Sequence, residues 1–155
     1  MADSERLLLV EGSNDKRFFE QFCQSIQLDV EVRVAPPREV GGDFNSKQGA
    51  IRHLSTLYKR LRTGDLARLA LVLDADQTLA GGGFVQTVAQ VAAVLAPLGF
   101  DANPVSLATG GLVFQHGDGL ADFGLWVMPD NGNDGILEDW ISQTIAAEGQ
   151  HRALF

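Results

Sequence analysis

The feature that most constrains this chain is a short apolar run, residues 69–73, that leads into two aspartates, Asp74 and Asp76. A run of this length bounded by charge is typical of a strand buried on both faces of a sheet. Side chains alternate along a strand, so both carboxylates point to one side if the extended conformation continues through them. A cation such as Mg²⁺, which prefers oxygen ligands, would relieve their repulsion. An equally simple interpretation is that Asp74 caps the following turn and that Asp76 is solvated.

A second buried-strand pattern, residues 7–10, ends in Glu11. The sequence then predicts a helix that is capped by Ser13 or Asn14, with Asp15 at the positive end of the helix dipole. A strand, a tight turn and a helix in this order form the first half of a β-α-β unit. The apolar face of this helix is predicted to consist of Phe18, Phe19, Phe22, Cys23 and Ile26.

Strand and helix patterns continue to alternate along the chain. A short strand is predicted at residues 30–34, and strands at residues 112–114 and 123–128 flank a Gly-Asp-Gly turn that indicates a hairpin. A last helix is predicted from about residue 136. Two further amphipathic helices are predicted. The helix after Ser46 has an apolar stripe of Ile51, Leu54, Leu57, Tyr58 and Leu61. The helix over residues 84–98 has an apolar stripe of Val85, Val88, Val91, Ala92 and Leu95.

This order of elements indicates one α/β domain over residues 1–155, a Rossmann-type sandwich with a central, mainly parallel sheet flanked by helices and a C-terminal hairpin and helix. Ligands of open sheets bind beyond the carboxyl ends of the strands. Glu11, Asp74 and Asp76 are therefore predicted to lie at one rim. Three carboxylates there can hold Mg²⁺ or Mn²⁺, and Glu11 beside the metal can act as a general acid or base.

Further acidic residues offer auxiliary roles at this site. Asp130 lies in an oxygen-rich loop, and Glu138 lies in the first turn of the last predicted helix. Because two-metal sites are common in phosphoryl chemistry, each is a candidate ligand of a second metal, and Asp15 is a further candidate helper. For Glu138, a favourable interaction with the helix dipole is a sufficient alternative explanation.

Charge and cysteine content restrict the partners and the compartment. The net charge is −8, and eleven of the twelve Lys and Arg residues precede Asp74. Nucleic-acid binders usually present a basic face, so this chain is expected to bind nucleic acid or a nucleotide only weakly by itself. Either a metal that contacts the phosphate or a basic protein partner would strengthen the contact. The chain has a single cysteine, Cys23, and it shows no signal-peptide pattern, which together predict a cytoplasmic protein. It also has no run of about 20 apolar residues, so no membrane partner is expected.

Two motifs of this chain resemble a known domain. The Val-Glu-Gly sequence at residues 10–12, followed by Asp15, and the Asp-Ala-Asp sequence at residues 74–76 resemble the Toprim domain. Topoisomerases, bacterial primases, recombination proteins and nucleases of the overcoming-lysogenisation-defect class share that domain. Residues 126–131 and 137–140 are similar to a small stand-alone Toprim-like family, so the resemblance spans about residues 7–142.

The resemblance implies a Toprim-like fold in which Glu11 is the general acid or base and Asp74 and Asp76 bind Mg²⁺. The predicted function is then a Mg²⁺-dependent phosphodiester hydrolase, nuclease-like, or a phosphoryl-transfer enzyme. Two alternatives stay open. One is a non-catalytic Toprim-like module that binds a metal or a partner, which the acidic charge favours. The other is phosphoryl chemistry on a small nucleotide, which needs no extended basic groove.

Overall fold

Helices and strands alternate through the part of the chain that the computed structural model describes, residues 5–34, 47–74, 83–108 and 111–128. None of the helices in these ranges has both the length and the hydrophobicity that crossing a bilayer requires. The elements in chain order are β1 (Glu5–Val10), α1 (Ser13–Ser25), β2 (Glu31–Val34), α2 (Lys47–Thr63), β3 (Leu66–Asp74), α3 (Phe84–Leu95), a 3₁₀ turn (Ala96–Leu98), β4 (Val105–Ser106), β5 (Leu112–Phe114) and β6 (Phe123–Met128).

The six described strands form one sheet in the order β2-β1-β3-β6-β5-β4. β1 is parallel to β2 and β3, and β3 is parallel to β6, whereas β5 is antiparallel to β4 and β6. The predicted α/β sandwich with a central, mainly parallel sheet is therefore confirmed, and so is the hairpin of β5 and β6. The helix predicted from about residue 136 lies outside the described residues.

The helices cover both faces of the sheet. From β1 the chain crosses to β2 through α1, and it then returns past β1 to β3 through α2. Right-handed connections in opposite directions place α1 on one face and α2 on the other. α3 contacts α2 and belongs to the same layer.

The larger core lies between the sheet and the layer of α2 and α3. Every residue of the predicted α2 stripe is buried in it, as the helical spacing predicted. A smaller cluster, formed by Val10, Phe19, Val32 and Met128, lies on the α1 face. The strands contribute alternate residues to the larger core, among them Leu7, Leu9, Leu69, Leu71, Leu73, Leu125 and Val127.

The structure corrects two details of α1. Its N-cap is Gly12, and neither Ser13 nor Asn14 takes that position. The Asp15 carboxylate accepts the Gly12 N–H at 3.1 Å, and an acidic side chain three residues into a helix satisfies this donor without a hydroxyl or amide cap. Ile26, predicted on the buried face, is 49% exposed because it is already the C-cap residue.

The buried face of α3 agrees with the predicted stripe except at the first stripe residue, Val85, because the other four lie in or pack against the larger core. Val85 is 78% exposed, whereas Thr87 is fully buried. The inward row begins at the half-buried Phe84 and continues to Val91 and Leu95, and Val85 lies about 100° around the helix from Phe84. The α-helix ends at Leu95, and the three residues predicted to extend it form the 3₁₀ turn.

His116 is a core residue whose tautomer is set by its contacts. Its Nδ1 accepts the backbone N–H of Asp118 at 3.0 Å, so the proton lies on Nε2, which donates to the Leu98 carbonyl at 2.9 Å. The Tyr58 hydroxyl lies 3.2 Å from the same Nε2, and the Tyr58 ring stacks on the imidazole. The Phe100 ring contacts it edge-on at a centroid distance of 4.8 Å. These contacts are those of a structural histidine.

His53 on α2 is expected to make stability depend on pH. Burial lowers the pKa of His53 below its ordinary value, and the positive charge of Arg33 lowers it further. The unfolded chain binds the proton at about pH 6.5. The stabilisation of the folded state by neutral His53 is therefore fully present above about pH 6.5, and it is lost as the pH falls through the lower pKa of the folded state. His53→Gln is expected to flatten this decline in the free energy of unfolding, measured by urea unfolding between about pH 7.5 and about pH 5.5.

Arg33→Gln is the companion variant, because it removes only the second cause of the lowered pKa. It is expected to remove a smaller share of the pH dependence than His53→Gln does. Equal slopes for the wild type and His53→Gln would contradict the assignment.

Candidate functional site

The carboxyl ends of the parallel strands place Glu11 and Asp74 at one rim of the sheet. Glu11 directly follows β1, and Asp74 is the last residue of β3. β1 and β3 are hydrogen-bonded neighbours in the middle of the sheet. The two acidic residues predicted from separate apolar runs therefore lie beside each other, 63 residues apart in the chain.

A direct hydrogen bond joins these two residues. The backbone N–H of Asp74 donates to Oε2 of Glu11 at 2.8 Å, and both residues are half-buried. The last paired residues of the β1–β3 ladder are Leu9 and Leu71, so the Glu11 side chain extends the link between the strands beyond the backbone ladder. This contact orients the carboxylate and holds it against the main chain of Asp74.

Strand alternation places the Asp74 side chain on the α1 face of the sheet. Leu71 and Leu73 belong to the core on the α2 face, and Val72 packs in the cluster on the opposite face. Asp74 is two residues beyond Val72 and therefore lies on the same face as α1. The N-terminus of α1 begins at Ser13, immediately after Glu11 and Gly12, so the positive end of its dipole lies at this rim.

Asp15 supports the turn between β1 and α1. Its Oδ2 accepts the N–H of Gly12, the residue that follows Glu11. This hydrogen bond is a helix cap, and it fixes the backbone from which the Glu11 side chain extends. The geometry thus gives Asp15 a positioning role next to the site.

The remaining predicted site residues lie outside the described residues. They are Asp76, Asp130 and Glu138. Within the described ranges, no three His, Cys, Asp or Glu side chains form a group able to hold a metal. Glu11 and Asp74 nevertheless fit Mg²⁺ by the chemistry of their donors, because Mg²⁺ is commonly held by one or two carboxylates and completed by water and substrate phosphates.

The topology separates the basic residues of α2 into two groups. α2 follows the carboxyl end of β2 and precedes the amino end of β3, so it runs from the rim of Glu11 and Asp74 to the opposite edge. Lys47 at its start lies on the side of the rim, whereas Arg60 and Arg62 in its last turn lie at the other edge. A phosphate at the rim would therefore meet Lys47 before the arginines of the last turn.

Comparison with known proteins assigns the chain to a family. Residues 5–154 match the family described as Protein of unknown function (DUF3226). The chain belongs to the DUF3226 family. No curated protein and no solved structure matches this DUF3226 chain. The family description names no activity, so Glu11, Asp74 and their surroundings are the features that indicate the chemistry.

Sequence reasoning missed the hydrogen bond that organises the site of this DUF3226 protein. The pattern identified Glu11 and Asp74 as residues at strand ends, but it treated both only as side-chain ligands. The bond uses the backbone N–H of Asp74, which leaves no trace in residue type. The only sequence signal is that both apolar runs end in an acidic residue, so the two residues lie side by side when the strands pair in parallel.

Proposed function

We propose that this DUF3226 protein is a Mg²⁺-dependent phosphoryl-transfer enzyme of Toprim type, with phosphodiester cleavage in nucleic acid as its reaction. The observation that carries the proposal is the 2.8 Å hydrogen bond from the Asp74 N–H to Glu11 Oε2. It brings two acidic residues together at the ligand-binding rim of an α/β sheet. The resemblance of the motifs at residues 10–12 and 74–76 to Toprim domains supports the same reaction class.

In this proposal Asp74 would hold the metal together with Asp76, which the sequence places two residues further on. A bound Mg²⁺ supplies charge stabilisation to a phosphoryl group and orients the attacking and leaving oxygens. Mn²⁺ is an alternative metal at the same oxygen ligands.

Glu11 supplies the proton transfer in this mechanism. Its carboxylate is held by the Asp74 N–H, so its position relative to β3 is set before substrate binds. A carboxylate oriented in this way can take a proton from an attacking oxygen or give one to a leaving oxygen. The cap made by Asp15 keeps the adjoining turn in place.

The net charge of −8 limits how strongly this protein can attract a polyanionic substrate. A protein of this charge gains little affinity from long-range attraction to a polyanion. We therefore expect productive binding to depend on the metal and on cations near the rim, such as Lys47 and Lys16 of the first helical turns. Affinity for oligonucleotide should rise when Mg²⁺ is added.

Asp74→Asn tests the proposal directly. The substitution removes a charged metal ligand but leaves the backbone N–H that binds Glu11 in place. We expect it to lower Mg²⁺- or Mn²⁺-dependent cleavage about 100-fold or more, because charge stabilisation by the metal is worth several kcal/mol. Cleavage of supercoiled plasmid, single-stranded DNA and RNA would be measured, together with metal binding by calorimetry.

Asp65→Asn is the matched control, since Asp65 is an exposed aspartate in the turn before β3, at the opposite edge of the sheet. It should keep wild-type activity and metal affinity. If the wild type cleaves none of these substrates and binds no metal with oligonucleotide present, the proposal is wrong and a non-catalytic partner-binding module takes its place.

A further inference from the structure

Two arginines lie opposite each other near the amino-terminal ends of β1 and β3, at the end of the strands farthest from Glu11 and Asp74. Arg6 of β1 and Arg68 of β3 are direct partners in the parallel register, and both side chains are exposed. Alternation along the strands places them on the α1 face, in line with Leu8 and Ala70, which are the next pair on that face. The strand pairing is irregular immediately beyond this pair, between Glu5 and Arg6.

This arrangement carries an electrostatic cost. Like charges directly opposite each other on neighbouring strands repel. Neither Arg6 nor Arg68 forms an ion pair with another described side chain, and the ion pair that the described ranges show joins Arg33 and Glu31. In a chain with a net charge of −8, two neighbouring arginines without a close ion-pair partner among the described residues create a local positive potential that favours an anion.

An apolar pocket adjoins the arginine pair. Its volume is about 200 Å³, and its walls include Leu8, Leu28 and Ala70 beside Arg6 and Arg68. Leu28 is 45% exposed, so one apolar wall is open to an incoming molecule. For comparison, an apolar cavity of about 150 Å³ accommodates benzene.

We propose that this pocket binds a small organic carboxylate with an apolar body of about the size of benzoate. The carboxylate would lie between Arg6 and Arg68, whose planar forks match its two oxygens. The apolar body would pack against Leu8, Leu28 and Ala70. This site lies at the opposite edge of the sheet from the candidate metal centre and does not depend on the proposed phosphoryl chemistry.

The test is a titration of the full chain with benzoate, followed by ¹⁵N NMR chemical shifts and by thermal unfolding. Benzyl alcohol keeps the ring without the charge, inorganic phosphate has charge without the ring, and phenyl phosphate has both with a different head group. Benzoate should shift amide signals of β1, β3 and the end of α1 and raise the melting temperature. Benzyl alcohol and inorganic phosphate should do neither.

Arg68→Gln is expected to raise the dissociation constant for benzoate about tenfold or more, because one charge-assisted pair is lost. Arg62→Gln is the matched control, because Arg62 is an exposed arginine in the last turn of α2. It removes the same charge and should leave benzoate binding unchanged. Without ligand, Arg68→Gln should be at least as stable as the wild type, since it relieves repulsion from Arg6. A purely structural role for Arg68 would instead lower its stability.

Several results would overturn the assignment. The carboxylate site is wrong if benzoate produces no shifts, or if benzyl alcohol binds as tightly as benzoate. Binding of phenyl phosphate in preference to benzoate would replace the carboxylate by a phosphate monoester. Equal loss of benzoate binding in Arg62→Gln and Arg68→Gln would show that the net charge of the protein, and not the Arg6–Arg68 pair, determines the affinity. Arg6→Gln gives an independent measurement of the same pair.

Discussion

Glu11→Gln is expected to lower turnover by roughly 100- to 10,000-fold, the range that general acid–base catalysis contributes, with the fold and metal affinity almost unchanged. The glutamine carbonyl can still accept the Asp74 N–H, so the contact now made at 2.8 Å survives the substitution. The amide cannot act as a general acid or base at neutral pH, so only the proton-transfer role is removed. Steady-state cleavage rates, metal calorimetry and thermal unfolding on the same preparation would separate these effects.

Two further variants show whether the loss is specific to proton transfer. Asp15→Asn makes the same carboxylate-to-amide change one turn away, and its carbonyl can still accept the Gly12 N–H, so activity should stay within a few-fold of wild type. Glu11→Ala removes the acceptor as well and leaves the half-buried Asp74 N–H unpaired, which should cost about 1–3 kcal/mol of stability. Full activity in Glu11→Gln would remove Glu11 from the mechanism and leave it a structural link between β1 and β3.

The pattern across Glu11→Gln and Asp74→Asn distinguishes their roles. Asp74→Asn should weaken metal binding and turnover together, because a ligand is lost. Glu11→Gln should lower turnover alone. If Glu11→Gln weakens metal binding as strongly as Asp74→Asn, then Glu11 is a metal ligand, which the sequence also allows.

Gly99→Ala is expected to lower the free energy of unfolding by about 2–4 kcal/mol. Gly99 has a φ of +103°, a conformation that costs a residue with a Cβ about 1–2 kcal/mol. A Cβ there would also lie 2.6 Å from Nε2 of His116, so the imidazole must move. Moving it breaks its bonds to Leu98 and Asp118, which adds about 1–2 kcal/mol.

Gly64→Ala is the matched control for this effect. Gly64 also has a positive φ, +90°, but a Cβ there meets no atom within 4 Å. It should therefore show only the backbone cost of about 1–2 kcal/mol. Urea unfolding of both variants measures the difference, which reports the packing of His116. Equal losses in the two variants would contradict a role for the imidazole contact.

The prediction of the helices shows where periodicity is sufficient and where it is not. The α2 stripe was predicted correctly because its five apolar residues repeat at helical spacing and all face one core. In α3, the first turn has two adjacent apolar residues, Phe84 and Val85, so spacing alone could not tell which of them faces the core. The position of the sheet beneath the helix decided it.

The sequence by itself determined the class of the fold and the end of the sheet at which Glu11 and Asp74 lie. Buried-strand runs ending in Glu11 and Asp74 imply this placement, because parallel strands bring their carboxyl ends to one edge. Only the tertiary structure decided that the Glu11 side chain binds the Asp74 backbone and that Arg6 faces Arg68. Periodicity describes one element at a time. Strand order and register, which determine these contacts, depend on packing between segments that are distant in the chain.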